Sequence, residues 1–100
     1  MQKCGLLVRI TAKVGKENEL STFLESALPL AQEEAGTVAW YAIKINERTF
    51  GIFDTFHSET ERNSHIAGAI AKALFAKAPE LLESAPSIEK INLLAVKSAS

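Results

Sequence analysis

Hydrophobic and polar residues follow a pattern that predicts strands at the two ends of the chain and a helix after the first strand. Residues 4–13 are rich in β-branched and apolar side chains, which favours a strand. In residues 17–34 apolar side chains recur every three or four positions, as on one face of a helix. Because Pro29 stands inside this run, we expect a kink or break near residues 27–28, with Gly36 as the C-cap.

The middle of the chain predicts two strands, at residues 38–45 and 49–57, joined by a short loop. The loop lacks the Asn-Gly or Asp-Gly of a tight two-residue turn, so an odd-length connection of three residues is expected. That length sets a register, because side chains alternate between the two faces of a sheet. The predicted pairs are Lys44 with Phe50, Ala42 with Ile52, Trp40 with Asp54, and Val38 with Phe56.

A second helix is predicted after the hairpin, where Ser58 and Glu61 fit a capping box. Pro79 is expected to interrupt this helix, and residues 81–82 to form a short extra turn. A last strand is predicted at residues 88–97. The apolar face of the second helix carries Ile66, Ala69, Ile70, Ala73 and Leu74.

The order β-α-β-β-α-β in 100 residues predicts a single α+β domain that spans residues 1–100. Both helices then lie on one side of a four-stranded antiparallel sheet, and the other side should be polar if it faced water. Instead, several predicted strands carry apolar side chains at both odd and even positions, and therefore on both faces of the sheet. An exposed face of roughly 500 Å² is unusual for a monomer. The pattern therefore predicts a homodimer with the two sheets packed face to face. The segments concerned are residues 6–8, 42–45, 50–53 and 93–96.

Composition excludes several classes of partner. Apolar residues make up 47% of the chain and charged residues 23%, and the formal net charge is -1. No basic patch of the kind that binds nucleic acid or an anionic membrane surface stands out. The apolar run near the N-terminus is too short for a signal peptide or a spanning helix, and Cys4 is the single cysteine. These features predict a cytoplasmic protein without an internal disulfide.

Several segments, in this order, resemble the antibiotic biosynthesis monooxygenase-like group, which are small dimeric α/β-barrel proteins with a ferredoxin-like protomer. The resemblance covers roughly residues 6–96. In the third strand, members often have an acidic residue followed two places later by an aromatic, and Asp54 and Phe56 occupy those places. Residues 14–17, 34–38, 49–56 and 58–65 carry the likeness, the last of them in a helix that holds a histidine in many members.

The resemblance implies an activity as well as a fold. Active members oxidise quinol-like or phenolic aromatics with O₂ and without an added cofactor, in a pocket between the sheet and the helices. An electron-rich substrate supplies the electrons, so the protein needs an apolar pocket, a base and a means of stabilising an anion. A second branch binds haem through a histidine late in the second helix. That place falls near Phe75 here, and another common histidine position is Ile70, so the sequence disfavours haem chemistry.

Two ionisable residues are the candidate catalytic groups. His65 is placed at the edge of the core by a ~100° step per residue, and it could accept a proton from a quinol. Asp54 stands mid-strand between aromatics, where a carboxylate must find a partner. It could be the base or could orient His65. The alternative is structural: a histidine bonded at a helix–sheet junction, and an aspartate paired with Arg9 or the Trp40 indole.

Trp40 and Phe56 are the candidate substrate-binding residues, as an aromatic wall for a flat ligand; the alternative is that they belong to the core. No metal site is expected, because His57 and His65 lie on different predicted elements with no matching cluster. Two functions stay open. One is a cofactor-independent monooxygenase for a small aromatic and O₂. The other is a non-catalytic dimeric barrel that binds a small apolar ligand or serves in a stress response.

Overall fold

The computed structural model describes residues 2–97, which form four strands and four helices in the order β-α-α-β-β-α-α-β. The strands are β1 (Cys4–Thr11), β2 (Thr37–Lys44), β3 (Thr49–Phe56) and β4 (Ser87–Asn92). The helices are α1 (Glu17–Ser26), α2 (Leu28–Glu33), α3 (Glu59–Ile66) and α4 (Ala69–Leu81). Each predicted helix is therefore present as a broken pair.

The four strands form one antiparallel sheet in the order β2-β3-β1-β4. The first and third strands lie in the centre, so each helical pair connects a central strand to an edge strand. This is the ferredoxin-like α+β fold, and the predicted fold class is confirmed. Within the described part of the chain, no helix is long and apolar enough to cross a membrane.

The first helical pair breaks where the sequence predicts it, at Ala27. Pro29 lies in the first turn of α2, where a residue without an N–H costs no helical hydrogen bond. The C-cap prediction for Gly36 is wrong, because α2 ends at Glu33 and its C-cap is Glu34, which is extended. Gly36 instead lies against α3, where an added Cβ would come within 2.8 Å of Glu61 Oε2.

The second helical pair breaks earlier than predicted. The interruption lies between α3 and α4, at residues 67–68, and α4 continues through Pro79 to Leu81. The carbonyl that loses its partner to Pro79 belongs to Phe75, a residue on the exposed side of the helix, where water can satisfy it. The predicted extra turn at residues 81–82 is also wrong, since Leu82 is extended and bridges to Ala12.

The hairpin register is confirmed at three of its four predicted pairs: Lys44 with Phe50, Ala42 with Ile52, and Trp40 with Asp54. The fourth is wrong. Thr37 pairs with Phe56 and Ala39 with Thr55, so the strand is irregular at Val38. An extra residue in one strand shifts the pairing beyond it, which a constant alternation cannot anticipate. The last strand is also shorter than predicted, because β4 ends at Asn92.

The core lies between the helices and one face of the sheet. Val8, Ile10, Phe50 and Ile52 are buried there against Leu20, Leu24 and Leu74 of the helices. Phe56 and Leu6 extend this layer along the same strands. The alternate positions point away from the helices, and Tyr41 and Ile43 among them are 55% and 39% exposed. The sheet thus has one covered face and one uncovered apolar face.

Candidate active site

The candidate site begins with α3, which carries His65 in its last turn. Ser58 caps the helix as predicted, since its Oγ accepts the backbone N–H of Glu61 at 3.3 Å. Arg62 is buried one turn before His65, and its guanidinium donates to the carbonyl oxygens of Ile91 (3.1 Å) and Gly5 (3.4 Å). These contacts fix the helix against β1 and β4, so the position of His65 is set at both ends of α3.

His65 lies between two carboxylates. Its Nδ1 is 2.5 Å from Glu34 Oε1, and its Nε2 is 2.8 Å from Asp54 Oδ2. The side chain is 7% exposed. The Nδ1 contact is a well-aligned hydrogen bond, whereas the Nε2 contact is an ion-pair approach in which Oδ2 accepts no aligned hydrogen bond. The three residues come from the end of α2, the middle of β3 and α3.

Asp54 is fully buried on the helix-covered face of β3. Its partner is His65, so the structural pairing with Arg9 or Trp40 is wrong. Arg9 is exposed and pairs with Gly51, on the opposite face of the sheet. The Trp40 indole lies across from Asp54 in the register, but its buried Nε1 makes no hydrogen bond within residues 2–97. The structure therefore brings the two candidate catalytic residues together.

The surroundings of His65 raise its pKa above the ordinary value of 6.5. Burial acts in the opposite direction, because removing water disfavours the charged ring. The contacts with Asp54 and then Glu34 outweigh burial, since two carboxylates stabilise the imidazolium. Each ring nitrogen faces a carboxylate oxygen, which is a hydrogen-bond acceptor. Both nitrogens are therefore placed to carry a proton. The arrangement can hold a proton between buried carboxylates and release it to one of them.

A crevice of 480 Å³ opens in front of His65, between the end of α2 and the helices α3 and α4. Glu34 and His65 lie on its inner wall, and Gly36 lines it without adding a side chain. Asp54 does not reach it, because it is buried behind His65. The other polar side chains of the lining are Glu33, Glu61, Ser64 and Thr37.

The two aromatic candidates lie elsewhere. Phe56 is fully buried, and its ring contacts the ring of His65 with the centroids 5.2 Å apart. Trp40 is half-buried and lines a separate concavity of 270 Å³ together with Leu28 and Ala31. Neither lines the crevice, so the aromatic wall predicted from the sequence is not assembled around it. Their role in substrate binding stays a prediction.

Sequence analysis missed two residues of this site. Glu34 stands in one of the segments that resemble the monooxygenase-like group, but nothing in its spacing links it to a histidine 31 positions later. Arginine is a residue type that usually lies on the surface, yet Arg62 is 4% exposed. A long-range contact of this kind follows from the fold, so a local pattern carries no signal for it. Among the described residues, no group of three or more His, Cys, Asp or Glu side chains could hold a metal ion.

Comparison with solved structures places the chain in a family. A protein of unknown function from Nitrosomonas europaea, NE2512, is 52% identical, with a TM-score of 0.97, over 100% of this chain and 97% of that one. The chain belongs to the same family as NE2512. No protein-family model matches the sequence, and no curated protein matches it significantly.

The fold extends to proteins of a named class. A second Nitrosomonas europaea protein, named "Putative antibiotic biosynthesis monooxygenase", has a TM-score of 0.81 at 10% identity, over 92% of this chain and 90% of that one. A protein of the same name from Caulobacter crescentus has a TM-score of 0.77 at 18% identity, over 94% and 92%. The resemblance to this group is therefore confirmed at the level of the fold.

Proposed function

We propose that this protein is a cofactor-independent monooxygenase that oxidises a small quinol or phenolic aromatic with O₂. One observation carries the proposal: His65 is held between Asp54 and Glu34 on the inner wall of a crevice. A base with a raised pKa beside a concave surface is what removal of a phenolic proton requires. The fold shared with proteins named as monooxygenases supports the same class of reaction.

The proposed reaction needs no external electron donor. A quinol reacts with O₂ to give a hydroxylated quinone and water, so one oxygen atom enters the ring and the other leaves as water. The ring supplies all the electrons, which is why an added cofactor is not required. The role of the protein is to remove the proton that makes the ring electron-rich, with His65, together with the Glu34 carboxylate bonded to it, as the acceptor and Asp54 as its orienting partner.

Oxygen uptake tests this function. Purified protein is mixed with a panel of quinols, and the rate is compared with that of autoxidation. We expect turnover above the background, and a loss of roughly 10²–10⁴-fold in His65→Gln, as is typical for removal of a general base. The exposed His57 provides the matched control, because His57→Gln should keep the wild-type rate. Wild-type protein without turnover on any quinol would refute the proposal.

The second candidate is a non-catalytic protein that binds a small ligand. It is favoured by the absence of Trp40 and Phe56 from the crevice lining, because the aromatic wall expected for oxidation of a flat aromatic is not assembled there. Mass spectrometry of the purified protein under native conditions distinguishes the two. A retained small molecule that is released unchanged in air supports binding without turnover, whereas an oxidised product in its place supports the enzyme.

We also propose that two copies associate through the uncovered sheet face. Support comes from the apolar side chains that this face exposes to solvent, of which Tyr41 and Ile43 are the largest contributors on β2. Tyr41 stacks on Phe53 with the centroids 6.2 Å apart, so the patch continues onto the central strand. Packing two such faces removes both from water. Light scattering should give twice the mass of one chain; a single-chain mass at every concentration contradicts it.

A further inference from the structure

His65 has no ring nitrogen left for a ligand. Nδ1 is 2.5 Å from Glu34 and Nε2 is 2.8 Å from Asp54, and the ring is 7% exposed. A molecule in the crevice therefore meets the group that lies in front of the histidine. The reacting hydroxyl cannot reach Nδ1 unless Glu34 moves away.

Glu34 is that group. Its Oε1 contacts His65, and the same side chain lines the crevice with 25% of its surface exposed. Oε1 also accepts the Thr37 hydroxyl at 3.3 Å, which holds the carboxylate in place. Oε2 is buried and has no hydrogen-bond partner within residues 2–97. A buried carboxylate oxygen without a donor is unfavourable. A small turn of the side chain that brings Oε2 to the crevice would let it accept a hydroxyl from a ligand, and this contact would stabilise it.

We propose that Glu34 is the residue that binds the acidic O–H of the ligand, and that His65 and Asp54 are positioning residues behind it. This inference rests on the proposed function for the reaction that follows. The Glu34 carboxylate turns so that Oε2 faces the crevice and accepts the ligand O–H; the O–H bond breaks, and the proton enters the Glu34–His65 pair. The ligand keeps the electron pair as an oxyanion. Asp54 faces the second ring nitrogen and keeps it protonated, so the added proton stays on the side of the ring where Glu34 lies.

The charges around the crevice restrict the class of ligand. The crevice is lined by three glutamates, Glu33, Glu34 and Glu61. The one side chain among the described residues of its lining that can be positively charged is His65, when it is protonated. Carboxylates on a concave surface repel anions and favour neutral hydroxyl donors or cations. The ligand is therefore a neutral or cationic phenol or quinol, and a carboxylated one is rejected.

Two probes with the same ring test the role of Glu34 and the rejection of anions. One is 2-methylhydroquinone, which is neutral, and the other is 2,5-dihydroxybenzoate, which carries a carboxylate. Binding is followed anaerobically by NMR, through the amide signals of residues that line the crevice, so it is separated from turnover. We expect the wild type to bind the neutral probe at least ten-fold more tightly than the carboxylated one. Glu47→Gln is the control, since Glu47 is exposed in the hairpin loop and lines none of the crevice.

Glu34→Gln should weaken binding of the neutral probe at least ten-fold, because it removes the charge of the acceptor. It should also reduce the preference of the protein for the neutral over the carboxylated probe, because it removes the repulsion of the carboxylate. A merely structural role would weaken both probes equally, which would overturn the inference. So would unchanged binding in Glu34→Gln, or wild-type protein that binds neither probe. If this variant does not fold, Glu34→Asp retains the charge but withdraws Oε2; ten-fold weaker binding of the neutral probe supports the inference and unchanged binding refutes it.

Oxygen uptake separates this inference from the function on which it rests. Binding that depends on Glu34 without any turnover in air supports the role of Glu34 and refutes the monooxygenase. Turnover that is lost in His65→Gln but unchanged in Glu34→Gln supports the monooxygenase and refutes the role of Glu34.

Discussion

The two faces of the sheet carry similar apolar residues but differ in what covers them. The helix-covered face buries Phe50, Ile52 and Phe56, and it places a carboxylate, Asp54, among them. The other face leaves Tyr41 and Ile43 largely exposed. A carboxylate inside an apolar layer is tolerated because His65 neutralises it, while an apolar layer facing water is unfavourable unless something covers it. The covered face therefore holds the candidate site, and the uncovered face is suited to association.

The strongest test of this contrast is the removal of one aromatic ring from each face. Phe56→Ala empties a fully buried position, and a loss of about 3–5 kcal/mol in the free energy of unfolding is expected. Phe53→Ala on the other face should cost clearly less, because that ring is only half-buried and stacks on an exposed tyrosine. Urea denaturation measures both, at a protein concentration low enough for light scattering to give the mass of a single chain. Equal losses would contradict the division of the sheet into a core face and a surface face.

The pH dependence of stability tests the buried charges of the covered face. The folded pKa of His65 is raised, so its contribution to stability is fully present below pH 6.5, the unfolded value, and is lost as the pH rises through the folded pKa. The loss cannot exceed about 1.4 kcal/mol per pH unit for one group. Urea denaturation at pH values rising from about 6.5, the unfolded value, should show a loss of stability within this limit in the wild type.

The matched variant for the pH experiment is His65→Gln, which keeps a polar side chain but removes the titrating ring. Its slope in the same range should be smaller than that of the wild type. Parallel profiles for the two proteins would mean that His65 is not stabilised by Asp54 and Glu34 in solution.

A smaller effect is expected at the start of α3. Ser58→Ala removes the side chain that accepts the Glu61 N–H, and loss of an N-cap typically costs about 1 kcal/mol. Thermal or urea denaturation gives the value. Ser58→Asp restores an acceptor at the same place and should recover most of the stability, whereas a loss as large as that of the alanine variant would contradict the capping role.

The smallest change in folding stability is expected on the uncovered face, where it accompanies a change in assembly. Ile43→Lys places a charge on an exposed position of an edge strand, so the free energy of unfolding of the single chain should change by no more than about 0.5 kcal/mol. Light scattering should nevertheless show loss of the dimer. Ala42→Lys, its neighbour that points to the other face, is the control and should leave the assembly intact.

The sequence by itself determined the elements and their order. The apolar spacing of residues 17–34 and Pro29 placed the first helix and its break correctly, because both depend on interactions within a few residues of the chain. The three-residue loop set the register that puts Trp40 opposite Asp54. Local rules failed at two positions. At Pro79 the helix continues because the freed carbonyl lies on an exposed side, and at Val38 the strand pairing is irregular.

Only the tertiary structure decided how the site is built. His65 and Asp54 were identifiable as unusual residues, but their contact depends on how α3 packs on β3. Glu34 joins them from the end of α2, a position that no local pattern connects to a histidine in another helix. Side-chain spacing along the chain reports which face of an element a residue occupies. Which residues meet across elements depends on packing, and packing placed a second carboxylate, that of Glu34, where the sequence predicted an aromatic wall.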